Sequence, residues 1–377
     1  MDAVRLERLR RRMRNLDAAL LGMVAERMEL AREVGAVKRA LGVPLRDFEV
    51  ERHVLDRAEA GATGLGLDAE LARALMRQLI EEACRIQESE HYTAYTGDAE
   101  SVLVVGGRGR MGRWLARFLE SQGHRVRIFD PAPPADDEPA AAPTLAAGLD
   151  GSTIAFVATP LHRIAEDLDA ITDAGYRGVV CDVASLKEHL RPALDRARGR
   201  GVGVTSIHPM FGGGARTLSD RVICVCDCGV PAATERVVGL FRETAARLVP
   251  LSIERHDQIA AYVLGLSHFV NLAFAQALAR SGVPRAELES VGSTTFRSQL
   301  ETTRSVAGDD PDLYFAIQRL NRFSPRVWEE LARAADELSR AVTTGDRDAF
   351  AAVMGTNRAW LAGAEEELES NSYGARP

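Results

Sequence analysis

Three groups of residues have types and spacing that could do chemistry. Gly107, Gly109 and Gly112 form a Gly-x-Gly-x-x-Gly turn between an apolar run (101–105) and a stretch with helical spacing, and Asp130 lies 18 residues beyond Gly112. Such a turn lets backbone approach a pyrophosphate at a helix N-terminus, and the acid can bond ribose hydroxyls while repelling a 2′-phosphate. This favours NAD over NADP, although Arg108 and Arg125 pull the other way. Arg110 and Met111 complete the turn and are assigned to the cofactor with the glycines. A structural glycine turn without cofactor is the alternative. His208 precedes Pro209 at the end of an apolar run, which fixes its backbone as extended. It follows several strand–helix units, whose strands gather ligands at their carboxyl ends. The preceding strand ends in Asp182-Val-Ala-Ser185-Leu-Lys187, a nearby hydroxyl and amine. A lone histidine is more commonly structural, so its setting decides. The third group is announced by Arg27, the one gap in an apolar seam.

That seam belongs to a proline-free stretch, 3–41, read as one helix. Leu6, Leu9, Met13, Leu16, Leu20, Met23, Leu30, Val34, Val37 and Leu41 recur at alternating spacings of three and four. Pro44 ends it. A second helix is expected over 47–60, broken by glycines at 61, 64 and 66. A third begins at Asp68, a good N-cap, and runs to about 92. A helix of this length is about 60 Å long, too long to bury its seam in a small monomer, and a dimer pairing these helices solves the problem. Residues 93–100 read as a linker. Strands are expected at 101–105, 125–129, 153–158, 178–182, 203–207 and 221–226, with 131–148 a loose connection. After about 255 the chain turns helical. The expected architecture is multidomain: an all-α three-helix domain (1–92), an α/β Rossmann domain (101–250) and an all-α domain (251–377).

The 377 residues carry 47 basic and 54 acidic side chains, a net charge of −7, which argues against a general nucleic-acid binder. Six arginines and two acids within residues 1–14 make the start too charged for a secretory signal. No apolar run reaches about 18 residues, so no membrane partner is expected. The five cysteines are odd in number and lack metal-ligand spacing. Cys224, Cys226 and Cys228 alternate as small buried residues would. A reduced, cytoplasmic, metal-free globular protein is expected.

The stretch from 101 to about 370 resembles prephenate dehydrogenase through VVGGRGRMG, DVASLK, IHPMFG, HDQ at 256–258 with His268 beyond, and DPDLY at 310–314. Residues 1–92 resemble the small helical chorismate mutase domain. Together they resemble the bifunctional chorismate mutase–prephenate dehydrogenase family over nearly the whole chain. The third domain is then the dimerisation domain, and the partners are a dicarboxylate substrate and a second copy.

The resemblance implies two consecutive reactions: chorismate to prephenate, then NAD-dependent oxidative decarboxylation to 4-hydroxyphenylpyruvate, the tyrosine branch of aromatic biosynthesis. The rearrangement needs no acid, base or nucleophile. It needs a folded dicarboxylate and stabilised charge on the breaking ether oxygen. Arg27 and Lys38, eleven residues apart, lie within about 20° round the helix. Met76, Ile80, Ala83 and Gln87 share a face of the third helix, and Gln87 matches the family's donor to the ether oxygen. Arg10, about 100° from Arg27, matches an arginine contributed by the partner subunit. Asp47 and Glu51 match positions near the C4 substituent. Two departures stand out there: Val50 replaces a frequent arginine, with Arg52 following, and Ala83 replaces a serine. For the second reaction the resemblance makes His208 the proton acceptor and Ser185 the residue orienting the hydroxyl, with Lys187 supporting. It places His268 and Arg297 at the substrate. A further carboxylate-binding arginine falls at Ser305 by ungapped counting, with Arg304 one residue early. These departures leave open the same two reactions on 4-amino-4-deoxychorismate and its product.

Overall fold

The proline-free stretch forms one helix, α1 (Asp2–Leu41). The computed structural model describes residues 2–41, 48–91, 98–133, 139–215, 218, 221–242, 244 and 246–372. Asp47 lies outside them, and so does the side chain of Glu51. Helix α2 (Phe48–Leu65) continues through Gly61 and Gly64, which the sequence reading took as breaks. Glycine inside a helix costs only about 1 kcal/mol. The turn comes at Gly66, whose φ of +67° is the left-handed conformation. Helix α3 (Ala69–His91) starts where Asp68 Oδ1 accepts from Leu71 N–H at 2.9 Å. It packs against both α1 and α2, burying Met28, Ala62, Ile80 and Ile86. The apolar seam of α1 stays open to solvent along its length, Leu30, Val34 and Val37 included. Leu6, Leu9, Met13, Leu16, Leu20 and Met23 are 47–64% exposed.

The period then changes to that of a sheet. Its elements are β1 (Ser101–Val105), α4 (Arg110–Ser121), β2 (Arg125–Phe129), β3 (Ala140–Ala141), α5 (Leu145–Leu149), β4 (Ile154–Val157), α6 (Ile164–Asp173), β5 (Val179–Asp182), α7 (Arg191–Gly199), β6 (Gly203–Pro209), β7 (Val222–Asp227), α8 (Pro231–Arg242) and β8 (Arg247–Leu251). The strand order is β3-β2-β1-β4-β5-β6-β7-β8. All neighbours are parallel except β6 and β7. This is a Rossmann sheet extended by two strands. Two elements fall in the stretch read as loose, β3 and α5; Thr144 caps α5 by accepting from Ala147 N–H at 3.1 Å. Strand β8 was not anticipated; it contains Pro250 and is an edge strand, where proline is tolerated. The core joins Val102, Val104, Ile154, Phe156 and Ile207 to Leu115, Leu119, Val237 and Phe241 on α4 and α8.

The chain divides into two units at His256 and Asp257, within α9 (Ile253–Ala260). The second contains a π-helical turn (Ala261–Leu266), α10 (Ser267–Arg280), α11 (Arg285–Ser290), α12 (Thr294–Ala307), α13 (Pro311–Leu320), α14 (Ser324–Thr344) and α15 (Arg347–Ser372). The rod Ile253–Arg280 is long and apolar enough to cross a membrane by length and composition alone, so the expectation that no stretch qualifies is corrected. Leucine, valine and phenylalanine raise its hydropathy, yet polar groups lock it to its neighbour. Buried Asn271 Oδ1 accepts from Gln299 at 2.9 Å and Thr303 at 2.8 Å, both on α12.

Candidate active sites

The helical domain carries a cavity of about 280 Å³ lined by Arg27, Lys38, Val50, Ala83, Cys84 and Gln87 among apolar residues. The three polar residues expected to act together therefore line one cavity, Arg27 and Lys38 from α1 and Gln87 from α3. Arg27 Nη1 donates to Leu79 O at 2.8 Å, tying the guanidinium to α3. Burial pulls its pKa down and Cys84 opposes the shift; guanidinium remains cationic regardless. Gln87 is buried, and its Nε2 donates to Ala31 O at 2.7 Å. One amide hydrogen remains for a ligand oxygen. A Cβ at Gly35 would lie 2.9 Å from Gln87 Cγ, so glycine there seats the amide. Val50 and Ala83, the two departures, both face this cavity. Arg10 is exposed on α1, about 25 Å along the helix from Arg27 at 1.5 Å per residue.

In the sheet, the turn after β1 is a backbone cradle. Gly106 has φ +80°, and a Cβ there would lie 2.8 Å from the backbone of Ala158 and Thr159 at the end of β4. A Cβ on Gly112 would lie 2.1 Å from Gly106 O, and one on Gly107 would lie 2.5 Å from Ile128 Cγ2. Gly109 is the N-cap of α4, and Arg110 and Met111 begin that helix. Asp130 accepts from the backbone N–H groups of Arg108 and Ala132, each at 2.9 Å. The Arg108 guanidinium folds onto the carbonyls of Asp130 (2.9 Å) and Ala132. Arg125 starts β2, at the opposite end of the strand from Asp130. The glycines and acid thus fit a dinucleotide with free ribose hydroxyls, at the crevice where strand order reverses between β1 and β4.

His208 sits at the carboxyl end of β6, 5% exposed, opposite Cys224 of β7. Its Nδ1 lies 2.9 Å from Nε2 of His256, also buried, which leaves Nε2 of His208 for a ligand. Burial first, then His256 and Lys187, hold its pKa well below the ordinary imidazole value. Lys187 was grouped with the catalytic residues, but its ammonium is fully buried. It donates to Asp182 Oδ1 at 2.8 Å and to Ile207 O at 2.7 Å. The ammonium thus ties the end of β5 to the backbone of β6 next to His208. Ser185 is half-buried in the loop after β5. His256 was missed as a site residue, although the HDQ triplet containing it had been singled out.

In the second unit, His268 is half-buried with its ring 4.1 Å from that of Tyr314, in the DPDLY run. Burial lowers its pKa, with Asp309 opposing. Arg297 and Arg304 are both exposed on α12, seven residues apart and so on one face. Arg304 is paired with Glu289. Cys224, Cys226 and Cys228 are buried thiols, not joined in disulfides.

Residues 9–88 match the family described as chorismate mutase type II, and residues 252–356 match prephenate dehydrogenase, dimerization domain. The chain is similar to the T-protein of Enterobacter agglomerans, 27% identical over 94% of this chain and 93% of that one. It is also similar to a 4-amino-4-deoxyprephenate dehydrogenase of Streptomyces pristinaespiralis, 28% identical over 71% of this chain and 93% of the relative. Among solved structures, prephenate dehydrogenase from A. aeolicus in complex with hydroxyphenyl propionate and NAD+ shares the fold. Its TM-score is 0.59, at 16% identity, covering 71% of this chain and 99% of that one.

Proposed function

We infer that this chain, a type II chorismate mutase domain joined to a prephenate dehydrogenase, is a bifunctional enzyme that rearranges chorismate to prephenate and oxidatively decarboxylates prephenate to 4-hydroxyphenylpyruvate. One observation carries the reading: a single chain pairs a cation-lined apolar pocket, suited to a reaction without proton transfer, with a neutral buried histidine at the ligand edge of a Rossmann sheet, suited to one that needs it. The first reaction's product is the second's substrate.

In the mutase pocket, Arg27 and Lys38 hold the two carboxylates in the folded conformer. The free amide hydrogen of Gln87 meets the ether oxygen as charge develops there. Apolar walls strengthen both interactions by excluding water. Arg10 of a second copy closes the pocket, since Arg10 cannot reach Arg27 within one chain. The exposed seam of α1 supplies the pairing surface, and the match to a dimerisation domain supports a homodimer.

In the dehydrogenase site, Gly107, Gly109 and Gly112 admit the pyrophosphate of NAD, Arg110 and Met111 flank it, and Asp130 takes the ribose hydroxyls. NAD bound there supplies the hydride acceptor. His208 Nε2 accepts the proton of the C4 hydroxyl as the carbonyl forms. For that, Nδ1 must carry hydrogen and donate to His256. Ser185 orients the same hydroxyl. Within the second unit, His268, Arg297 and Arg304 are the residues that the family resemblance assigns to the substrate's carboxylates. Loss of CO2 aromatises the ring and makes the step effectively irreversible.

The 4-amino-4-deoxy substrates remain the second reading because Val50 leaves the pocket without a cation where a C4 ammonium would be repelled by one. It is not better supported than the hydroxy reading. Supplying chorismate or its 4-amino analogue with NAD, and comparing kcat/KM by NADH absorbance, tests both. Preference for chorismate is expected, and preference for the analogue would transfer the assignment.

A further inference from the structure

A further cavity adjoins the cofactor cradle at Arg110 and opens on the outer face of α4. It has a volume of about 570 Å³ and lies between α4 and the loop that follows β6. Arg110, Arg113 and Arg117 line it at spacings of three and four, so one helix face presents three guanidinium groups. Trp114, Ser121 and the backbone of Gly213 and Gly214 supply other walls, and none of the described lining residues is acidic. The loop is seated closely. A Cβ on Gly213 would lie 2.2 Å from Arg110 O. Phe211 sets its ring against Trp114 at 4.9 Å, and Trp114 stacks on Phe118 at 5.5 Å. Arg113 Nη2 donates to Arg108 O at 3.1 Å, which holds that side chain along the helix. Arg117 has no hydrogen-bond or ion-pair partner among the described residues.

Arg117, whose charge has no partner among the described residues, is open to a ligand of opposite charge. Guanidinium forks match oxyanions bidentately, and glycine backbone lets a compact anion approach. An indole edge and a hydroxyl complete a mixed wall. We propose that this cavity binds a compact oxyanion with two or more negative charges, a phosphate or a small polycarboxylate, at a site that adjoins the cofactor cradle through Arg110 but is centred on Arg113 and Arg117, and that is separate from the mutase pocket. The proposal does not depend on the assigned reactions. The loop that walls the site begins directly after His208-Pro209, so an occupant would rest against the segment that leaves the dehydrogenase histidine.

Isothermal titration of the full chain with inorganic phosphate, and separately with citrate, at constant ionic strength tests this. One saturable site per chain is expected for at least one probe, and which probe binds tells the two sources apart. Arg117→Gln should weaken binding at least about tenfold, as loss of a charge-assisted contact does, and Arg117→Lys should recover part of it. NADH fluorescence titration should give unchanged cofactor affinity in both variants, which also reports that the sheet domain is folded. The proposal is overturned by absence of saturable binding beyond a potassium chloride control. Equal affinity in Arg117→Gln would overturn it too. So would competitive displacement of the anion by NAD, which would make the cavity an extension of the cofactor crevice.

Discussion

His208 shows how one side chain obtains its chemistry from its surroundings. Burial and the neighbouring His256 and Lys187 keep its imidazole neutral to a pH below the ordinary value of 6.5. The acidic limb of dehydrogenase kcat/KM should therefore fall below pH 6.5. His256→Gln removes one of the lowering influences, so the limb should move toward higher pH, and pH–rate profiles of the two proteins check this. The same shift links to stability. Below pH 6.5 the unfolded chain protonates this histidine while the folded chain does not, so the folded state loses stability as pH falls until the lowered folded value is reached. His208→Asn should reduce prephenate oxidation by about 10²–10⁴-fold and leave chorismate mutase turnover unchanged, read by NADH formation and by chorismate loss. His208 was legible because its motif ends a strand in a βαβ array. The role of Lys187 was only partly legible, because sequence order cannot say that its ammonium turns inward to Asp182 and Ile207 O. His256 was missed for a related reason: 48 residues separate it from His208, and only the fold closes that distance.

Elements explain why these side chains are where they are. The cradle exists because β1 and β4 end side by side and the chain between β1 and α4 has no Cβ to spare. Gly112→Ala would place a methyl 2.1 Å from Gly106 O. NADH affinity in a fluorescence titration should fall at least tenfold while mutase activity persists. Helix α1 does two jobs along its length. Its carboxyl-terminal half carries Arg27 and Lys38 into a pocket, while its amino-terminal half holds an exposed seam beside Arg10. If a second copy covers that seam, Arg10→Ala and Arg27→Ala chains are each inactive as mutases. Mixed after unfolding and refolding, they should regain about a quarter of wild-type activity, because a twofold mixed dimer has one intact site. Recovery no greater than the sum of the separate variants would place Arg10 outside the pocket. Periodicity made α1, α3 and most strands legible. It could not foresee β3 and α5, which are too short to carry a period, or β8, an edge strand that contains Pro250. It ended α2 early at Gly61, because a helix in contact with α3 tolerates glycines that local propensity counts as breaks.

The whole molecule joins two reaction types that demand opposite things of a protein. One pocket holds fixed charges and moves no proton. The other site keeps a histidine neutral so that a proton can move to it. The net charge of −7 reveals neither, because a few cations placed within apolar surroundings determine where a dianion binds. The order of domains was legible from the change of hydrophobic period near residue 100 and from the motifs. The extended Rossmann sheet and the burial of Lys187 emerge only from the fold. Arg27→Ala should separate the functions: mutase turnover is lost, while oxidation of supplied prephenate stays near the wild-type rate. Loss of both would indicate damage to the fold. The most direct measurement supplies wild-type protein with chorismate and NAD and follows NADH absorbance to completion. The account predicts one NADH and one 4-hydroxyphenylpyruvate per chorismate consumed. Absence of NADH from both chorismate and added prephenate, in protein that binds NAD, would contradict it.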